Sequence, residues 1–210
     1  MNDEKFWNEA FIDDVKKQKT DYLNDIWMEK YKDILKENEI EKALDLGCGL
    51  GQDSVYLKEK GYDIIACDIS SYALNQIKEK YPEIKTQHLD VTNKLPFEDN
   101  SISLINANLS LHYFTMDKTK EIFEEIKRVL KPGGLFIGRM NSDKNSYVNE
   151  DTQVIEENLY YEPKTNKYRR LFNKKQFDEL THNWNVIILN EDETVRAGYK
   201  KYTWEFILKK

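Results

Sequence analysis

Ala43-Leu44-Asp45-Leu46-Gly47-Cys48-Gly49-Leu50-Gly51 is the stretch that decides the fold. Entered from Glu41-Lys42, its apolar start reads as a short buried strand, and Asp53 to Lys60 reads as a helix closed by Gly61. Three glycines at alternate positions allow a tight turn and let a ligand approach the main chain. A strand, a glycine turn and a helix N-terminus make the first crevice of an open parallel α/β sheet, where nucleotides bind. The dinucleotide fingerprint G-x-G-x-x-G/A needs a third small residue, yet Gln52 stands at that place. Asp45, two residues before Gly47, repels a pyrophosphate and suits an ammonium group. A plain tight turn is the alternative reading of the glycines, and Asp45 speaks against it.

Strand and helix alternate from there. Tyr62 to Cys67 reads as a second strand ending in Asp68-Ile69-Ser70, and a helix from Ser71 to Lys80 turns Ala73, Leu74 and Ile77 inward before stopping at Tyr81-Pro82. Ile84 to Leu89 is a third strand ending at Asp90-Val91, and Ile102 to Asn106 a fourth after a polar loop. A helix over Asp117 to Leu130 buries Ile122, Phe123, Ile126 and Val129, and Lys131-Pro132-Gly133-Gly134 turns into a fifth strand, Leu135 to Met140. Such alternation predicts a parallel sheet covered on both faces. Upstream, Leu23, Ile26, Trp27, Tyr31, Ile34 and Leu35 predict an amphipathic helix within residues 20–37.

The last third behaves differently. Residues 141–172 form a polar connection too long for a simple loop, with a helix expected near Thr152 to Leu159. Asn173-Lys174-Lys175-Gln176 is a capping box before a short helix carrying Phe177 and Leu180. Val186 to Leu189 and Tyr202 to Leu208 then predict a closing antiparallel pair. The expected fold is one α/β domain over residues 1–210. It is a Rossmann-like, doubly wound sheet of seven strands, mostly parallel with an antiparallel closing strand and helices on both faces. Residues 1–37 are expected as a helical cover and 141–172 as an insertion or lid.

A chain of 210 residues fits one domain with a sizeable core. Its net charge of −6 disfavours a nucleic-acid partner, since phosphate contacts need a basic face. The acidic start Met1-Asn2-Asp3-Glu4-Lys5 does not read as a signal peptide, so none is expected, and no apolar run is long enough to span a membrane. Cys48 and Cys67 lack C-x-x-C spacing and read as reduced core thiols of a cytoplasmic protein. His88, His112 and His182 are scattered without ligand spacing, so no metal is expected.

With these pieces in order, the chain resembles a class I S-adenosylmethionine (SAM)-dependent methyltransferase of the small bacterial single-domain group. The resemblance covers residues 40–140 closely and the closing strand pair more loosely. It rests on Asp45-x-Gly47-x-Gly49-x-Gly51, on Asp68, on Asp90-Val91, and on Arg128-Val129-Leu130-Lys131-Pro132-Gly133-Gly134. It implies that Asp45, Gly47, Gly49 and Gly51 lie against the methionine part of SAM. Asp68 with Ile69 would hold the ribose hydroxyls, and Asp90-Val91 would meet the adenine. Ala107 and Asn108, ending the fourth strand, would touch the methionine end and face the substrate. S-adenosylhomocysteine (SAH) would be the product. A carboxylate suits vicinal hydroxyls, though Asp68 also reads as a solvated helix cap and Asp90 as an Asx turn. The Asn/Asp-Pro-Pro-Tyr/Phe motif of many amino-group methylases is absent.

Methyl transfer is an in-line displacement, so the protein supplies alignment, dryness and, where needed, a base. His112 is the candidate base, against the alternative of a histidine packed at a helix start. Ser110 lacks a nucleophile context and reads as a helix cap. Phe6, Trp7, Trp27, Tyr147, Tyr160, Tyr161 and Tyr168 are either a substrate cover or packing. Lys164, Lys167, Arg169, Arg170, Lys174 and Lys175 are either a solvated face or a contact for an anionic substrate. The expected partner is a small-molecule acceptor, with no membrane and the chain as monomer or homodimer. Two other readings remain: a nucleotide-dependent oxidoreductase, disfavoured by the glycine spacing and Asp45, and a SAM-binding protein without turnover.

Overall fold

The computed structural model describes residues 3–17, 25–146, 149–196 and 199–210. Leu23 and Tyr147, both singled out above, lie outside the described residues. The elements are α1 (Glu4–Lys16), a 3₁₀ turn (Trp27–Tyr31), α2 (Lys32–Glu37), β1 (Lys42–Leu46), α3 (Gln52–Glu59), β2 (Asp63–Asp68), α4 (Ser71–Lys80) and β3 (Lys85–His88). There follow β4 (Ile102–Asn108), α5 (Met116–Val129), β5 (Leu130–Asn141), β6 (Gln153–Glu156), β7 (Leu159–Glu162), β8 (Lys167–Arg170), α6 (Lys174–Thr181), β9 (Asn185–Arg196) and β10 (Tyr199–Lys209).

Seven strands form one sheet in the order β3-β2-β1-β4-β5-β10-β9. β10 runs antiparallel to both neighbours, so six strands share one direction and β10 opposes them. This is the seven-stranded, Rossmann-like sheet expected from the sequence, with β1 inside it between β2 and β4. Parallel strands are buried on both faces, which explains the near-continuous apolar runs of β1 and β4. On one side α5 and α6 cover an aromatic cluster in which Phe123, Phe136, Phe206 and Trp184 meet edge-on or tilted at 5.0–6.5 Å. On the other, Trp27, Met28, Tyr31 and Leu35 pack with Tyr56, Leu57 and Ile77.

Local signals set most helix ends. Ser70 accepts from the Ala73 amide at 3.1 Å and starts α4, and Thr115 does the same for α5 through Lys118. The Asn173–Gln176 capping box is complete at the start of α6. Two expected helices differ. Within residues 20–37 the described part is the 3₁₀ turn followed by α2, with Ile26 exposed, so no continuous amphipathic helix runs through it. Residues 152–159 hold no helix: β6, β7 and β8 form a separate antiparallel sheet. Asn158 takes a left-handed φ of 61° in the two-residue turn joining β6 to β7, a hairpin geometry that ends any helix there. β5 also starts earlier than expected, at Leu130, taking Lys131–Gly134 into the strand with a shift of register.

α1 packs on α4 through Asn8, whose side-chain oxygen accepts from the Ser70 hydroxyl (2.7 Å) and the Tyr72 amide (3.0 Å). That contact places α1 across the carboxyl ends of the strands. Among the described residues no helix is long and apolar enough to cross a membrane.

Candidate functional site

A cavity of about 670 Å³ lies beyond the carboxyl ends of β1, β2, β4 and β5, where open α/β sheets bind their ligands. α1 closes one side with Trp7 and Phe11, and β8 contributes Lys167 and Arg169.

One end of the cavity is acidic, and strand register builds it. Asp45 on β1 is paired with Asn106 on β4, which brings the Asn106 Nδ2 to Asp45 Oδ1 at 2.8 Å. The same Nδ2 donates to Asp53 Oδ2 at 3.0 Å. The Ser54 hydroxyl donates to Asp45 at 2.6 Å, and Trp27 Nε1 donates to Asp53 at 3.2 Å. Both carboxyls are almost wholly buried, at 1% and 5% exposure. Burial, and for Asp45 also the neighbouring Asp53 charge, pushes them above the usual carboxylate range. Two close carboxylates with few donors favour a cation arriving from the cavity. Asn106 Oδ1 is buried with no hydrogen-bond partner among the described residues.

The glycine turn is folded as its spacing requires. Gly47 (φ +71°) and Gly49 (φ +52°) are left-handed, and a Cβ at Gly47 would fall 2.3 Å from Ser110 Cβ. At Gly49 a Cβ would press on the Phe11 ring at 3.2 Å, so α1 already lies over this part of the main chain. Gly51 (φ +89°) precedes α3. Ser110 is not the helix cap expected; that position is Thr115. Its hydroxyl instead donates to Leu46 O at 2.6 Å, joining the loop after β4 to the end of β1.

Asp68 ends β2, lines the cavity with Ile69, and accepts from the amides of Gly49 and Ser70, each at 2.8 Å. Burial raises its carboxyl against the lowering effect of these bonds. Asp90 is an Asx turn, its Oδ1 accepting from the Thr92 amide and hydroxyl (2.8 and 2.7 Å), and it also lines the cavity beside Val91. Asn108 lines the cavity too, its Oδ1 accepting from Arg139 Nε at 2.9 Å across the β4–β5 pair. Ala107 does not: strand alternation turns it into the core, where it is fully buried among Leu46, Ile105 and Leu111.

The other end carries cations. His112 is 3% exposed, in the turn before α5, and its Nδ1 has no partner among the described residues. Burial, then the nearby charges of Lys201, Lys167 and Arg169, hold it well below the usual imidazole range, so it is neutral. Lys167 Nζ stands 5.4 Å over the rings of both Trp7 and Tyr113. The basic run therefore divides. Lys164 and Lys174 pair with Asp151 and Asp178 on the surface, and Lys175 is exposed. Lys167 and Arg169 reach the cavity. Arg170, fully buried, is structural. Of the described aromatic residues singled out in the sequence, Trp7 alone lines the cavity; Trp27 packs in the core, and Tyr161 stacks on Tyr168 at 4.8 Å in the small sheet.

Asp53, Asn106, Arg139 and Lys201 were not singled out by sequence reasoning. Asp53 sits in the first turn of α3, where an acid is ordinary helix-end electrostatics. Asn106 shares a strand face with Asn108, a period-2 signal that could have marked both. Arg139 is committed to Asp25 at 2.6 Å and stacks over Trp27 at 4.9 Å.

Residues 44–138 match the family model described as a methyltransferase domain. Demethylmenaquinone methyltransferase of Paenarthrobacter aurescens is 33% identical over 136 residues, covering 61% of this chain and 52% of its own. Human mitochondrial arginine-hydroxylase NDUFAF5 is 39% identical over 100 residues, covering 47% of this chain and 28% of its own. The chain thus spans about half, or less, of the length of these curated relatives. Burkholderia thailandensis 1,6-didemethyltoxoflavin-N1-methyltransferase, solved with 1,6-didemethyltoxoflavin and SAH, superposes with a TM-score of 0.70 at 16% identity, covering 98% of this chain and 88% of that one. The matched segment, residues 44–138, thus carries the likeness to a methyltransferase domain and holds the glycine turn, Asp68, Asp90 and β4 within a sheet of that fold.

Proposed function

We propose that this protein transfers a methyl group from SAM to a small-molecule acceptor and releases SAH. The observation that carries the reading is the buried pair Asp45 and Asp53, held on one Asn106 amide at the cavity wall. An ammonium there completes the charge, whereas a pyrophosphate would face Asp45, Asp53 and Asp68 together, which counts against a dinucleotide. Asp68 has oxygens at the wall for a pair of ribose hydroxyls, and Asp90 and Val91 border the space beyond for an adenine.

When bound, SAM supplies a sulfonium methyl, and transfer forms the acceptor–methyl bond as the sulfur–methyl bond breaks with its electron pair left on sulfur. The chain's part is to hold the acceptor in line and exclude water. His112, neutral and with a buried Nδ1 that has no partner among the described residues, is the proposed base or hydrogen-bond acceptor for the incoming nucleophile. Its weakness as a base suits an acceptor that is itself acidic. Two of the relatives above are named for small-molecule acceptors, which supports that class here. The cytoplasmic setting is part of the same proposal, supported by free Cys48 and Cys67, and a monomer or homodimer is proposed with it.

Incubation with SAM and a small-molecule extract, followed by mass spectrometry, tests the reaction. SAH together with a product heavier by one CH2 is expected. A product heavier by one oxygen would place the chain with its hydroxylase relative, and intact SAM beside bound protein would make it a binding protein.

α1 and residues 141–172 are proposed to act as the cover. Trp7 and Phe11 from the first and Lys167 and Arg169 from the second already line the cavity. Hydrogen exchange should show both segments gaining protection when SAH is added. Changes confined to residues 45–110 would make them structural packing.

A further inference from the structure

We infer that Asn141 selects the methyl acceptor, taking a hydrogen bond from an N–H or O–H group of a flat, neutral molecule whose body lies against Trp7 and Tyr113. This rests on the methyltransferase reading and names the substrate class of the same cavity.

Asn141 ends β5 and lines the cavity. It is 2% exposed, and its Oδ1 has no hydrogen-bond partner among the described residues. His112 Nδ1, in the same cavity wall, is likewise buried and unpartnered among them. One stretch of chain ties the two together: the Arg170 amide donates to His112 O and the Phe172 amide to Asn141 O, each at 2.8 Å. Thr203, opposite Asn141 on β10, has a third buried hydroxyl of this kind, but it stands outside the cavity lining. A bound molecule therefore meets Asn141 and His112.

A buried carbonyl without a donor is costly, and few persist in folded proteins without a role. Solvent can meet it in an open cavity, and a molecule that displaces this solvent has to bring the hydrogen itself. An amide oxygen only accepts, so a carboxylate or an ether placed there sets lone pair against lone pair. An ammonium group brings hydrogens but meets Lys167, whose Nζ stands over the rings of Trp7 and Tyr113. A neutral phenol or an N–H heterocycle satisfies both conditions. The neutral imidazole of His112 carries one hydrogen and one lone pair, so it can serve a second polar atom of either kind. Trp7 and Tyr113 meet edge-on at 4.9 Å, and the His112 ring lies 4.4 Å from that of Tyr113, which sets the polar wall beside the aromatic one. Phe11 and Phe114 line the same cavity, and rings of this kind favour a flat apolar body.

Calorimetric titration of the full, SAH-saturated chain with two matched pairs tests the inference. Indole is set against benzofuran, which keeps its shape without the N–H, and 4-methylphenol against 4-fluorotoluene. Indole and 4-methylphenol should each bind at least about threefold more tightly than the partner that lacks the hydrogen. In Asn141→Leu, or in Asn141→Ala if that variant does not fold, each ratio should fall by at least about twofold while SAH affinity holds. Equal binding within either pair, a preference for the molecule without the hydrogen, no binding of either donor below about 10 mM, or a smaller fall in the variant would overturn it. Failure of SAH to bind is seen separately, before any probe is added, and would instead overturn the cofactor reading; titrations without SAH then still decide the preference for a donor.

Discussion

Asp45→Asn is expected to lower SAH affinity by at least about a hundredfold, since removing one partner of a buried charge pair costs roughly 3–5 kcal/mol. The same substitution should leave the ligand-free chain as stable as before, or more so. In the free protein Asp45 and Asp53 share one amide donor, and the Ser54 hydroxyl and Trp27 Nε1 offset their burial and mutual repulsion only in part. An amide at position 45 keeps the shape, can still meet the Ser54 hydroxyl, and removes the repulsion. Loss of binding with loss of stability would mean that Asp45 is a structural residue. The pH dependence has a definite sign. The folded carboxyls bind protons more tightly than the unfolded ones. Their contribution to stability is therefore present below about pH 4 and is lost as pH rises toward neutrality. Binding of an ammonium needs the ionised pair, so SAH affinity should rise over the same window in the wild type and become flatter in Asp45→Asn.

Arg170→Met should destabilise the chain by roughly 3 kcal/mol, a fall in Tm of about 6–12 °C. Arg170 is completely buried at the end of β8. Its guanidinium donates to Phe114 O (2.8 Å) and Glu157 O (3.1 Å) and pairs with Glu156, while its own amide donates to His112 O at 2.8 Å. Burial pulls it down to about 10, still charged at neutral pH. Methionine fills the space but leaves two carbonyls unpaired and releases the small sheet from the turn after β4. SAH binding at the acidic end should survive, and hydrogen exchange over residues 153–170 should quicken. A Tm within about 2 °C of the wild type would show that the small sheet is held by other contacts.

The central sheet was legible because its signals are local. The glycine turn, the capping box at Asn173, and the apolar runs of β1 and β4 each carry their own reason. Asp45 was legible as an acid beside a glycine turn. Asp53 was hidden because an acid in the first turn of a helix has an ordinary explanation. Its partnership with Asp45 exists only through Asn106, and so only through the register of β1 on β4. The segment was misread as a helix because Gln153 to Leu159 lacks strong periodicity, and its strands are specified by pairing with one another across short turns. Lys167 and Arg169 looked like part of a charge run; the pleat of β8 and its tie to His112 separate them from the solvated lysines.

Titration calorimetry of the wild-type chain with SAH and with NADH at about pH 8, on the alkaline side of the raised Asp45 carboxyl, tests the account most directly. It predicts one SAH per chain with a Kd in the micromolar range, and NADH weaker by at least about a hundredfold because its pyrophosphate meets three carboxylates. NADH binding as tight as SAH, or no binding of SAH at all, would contradict it.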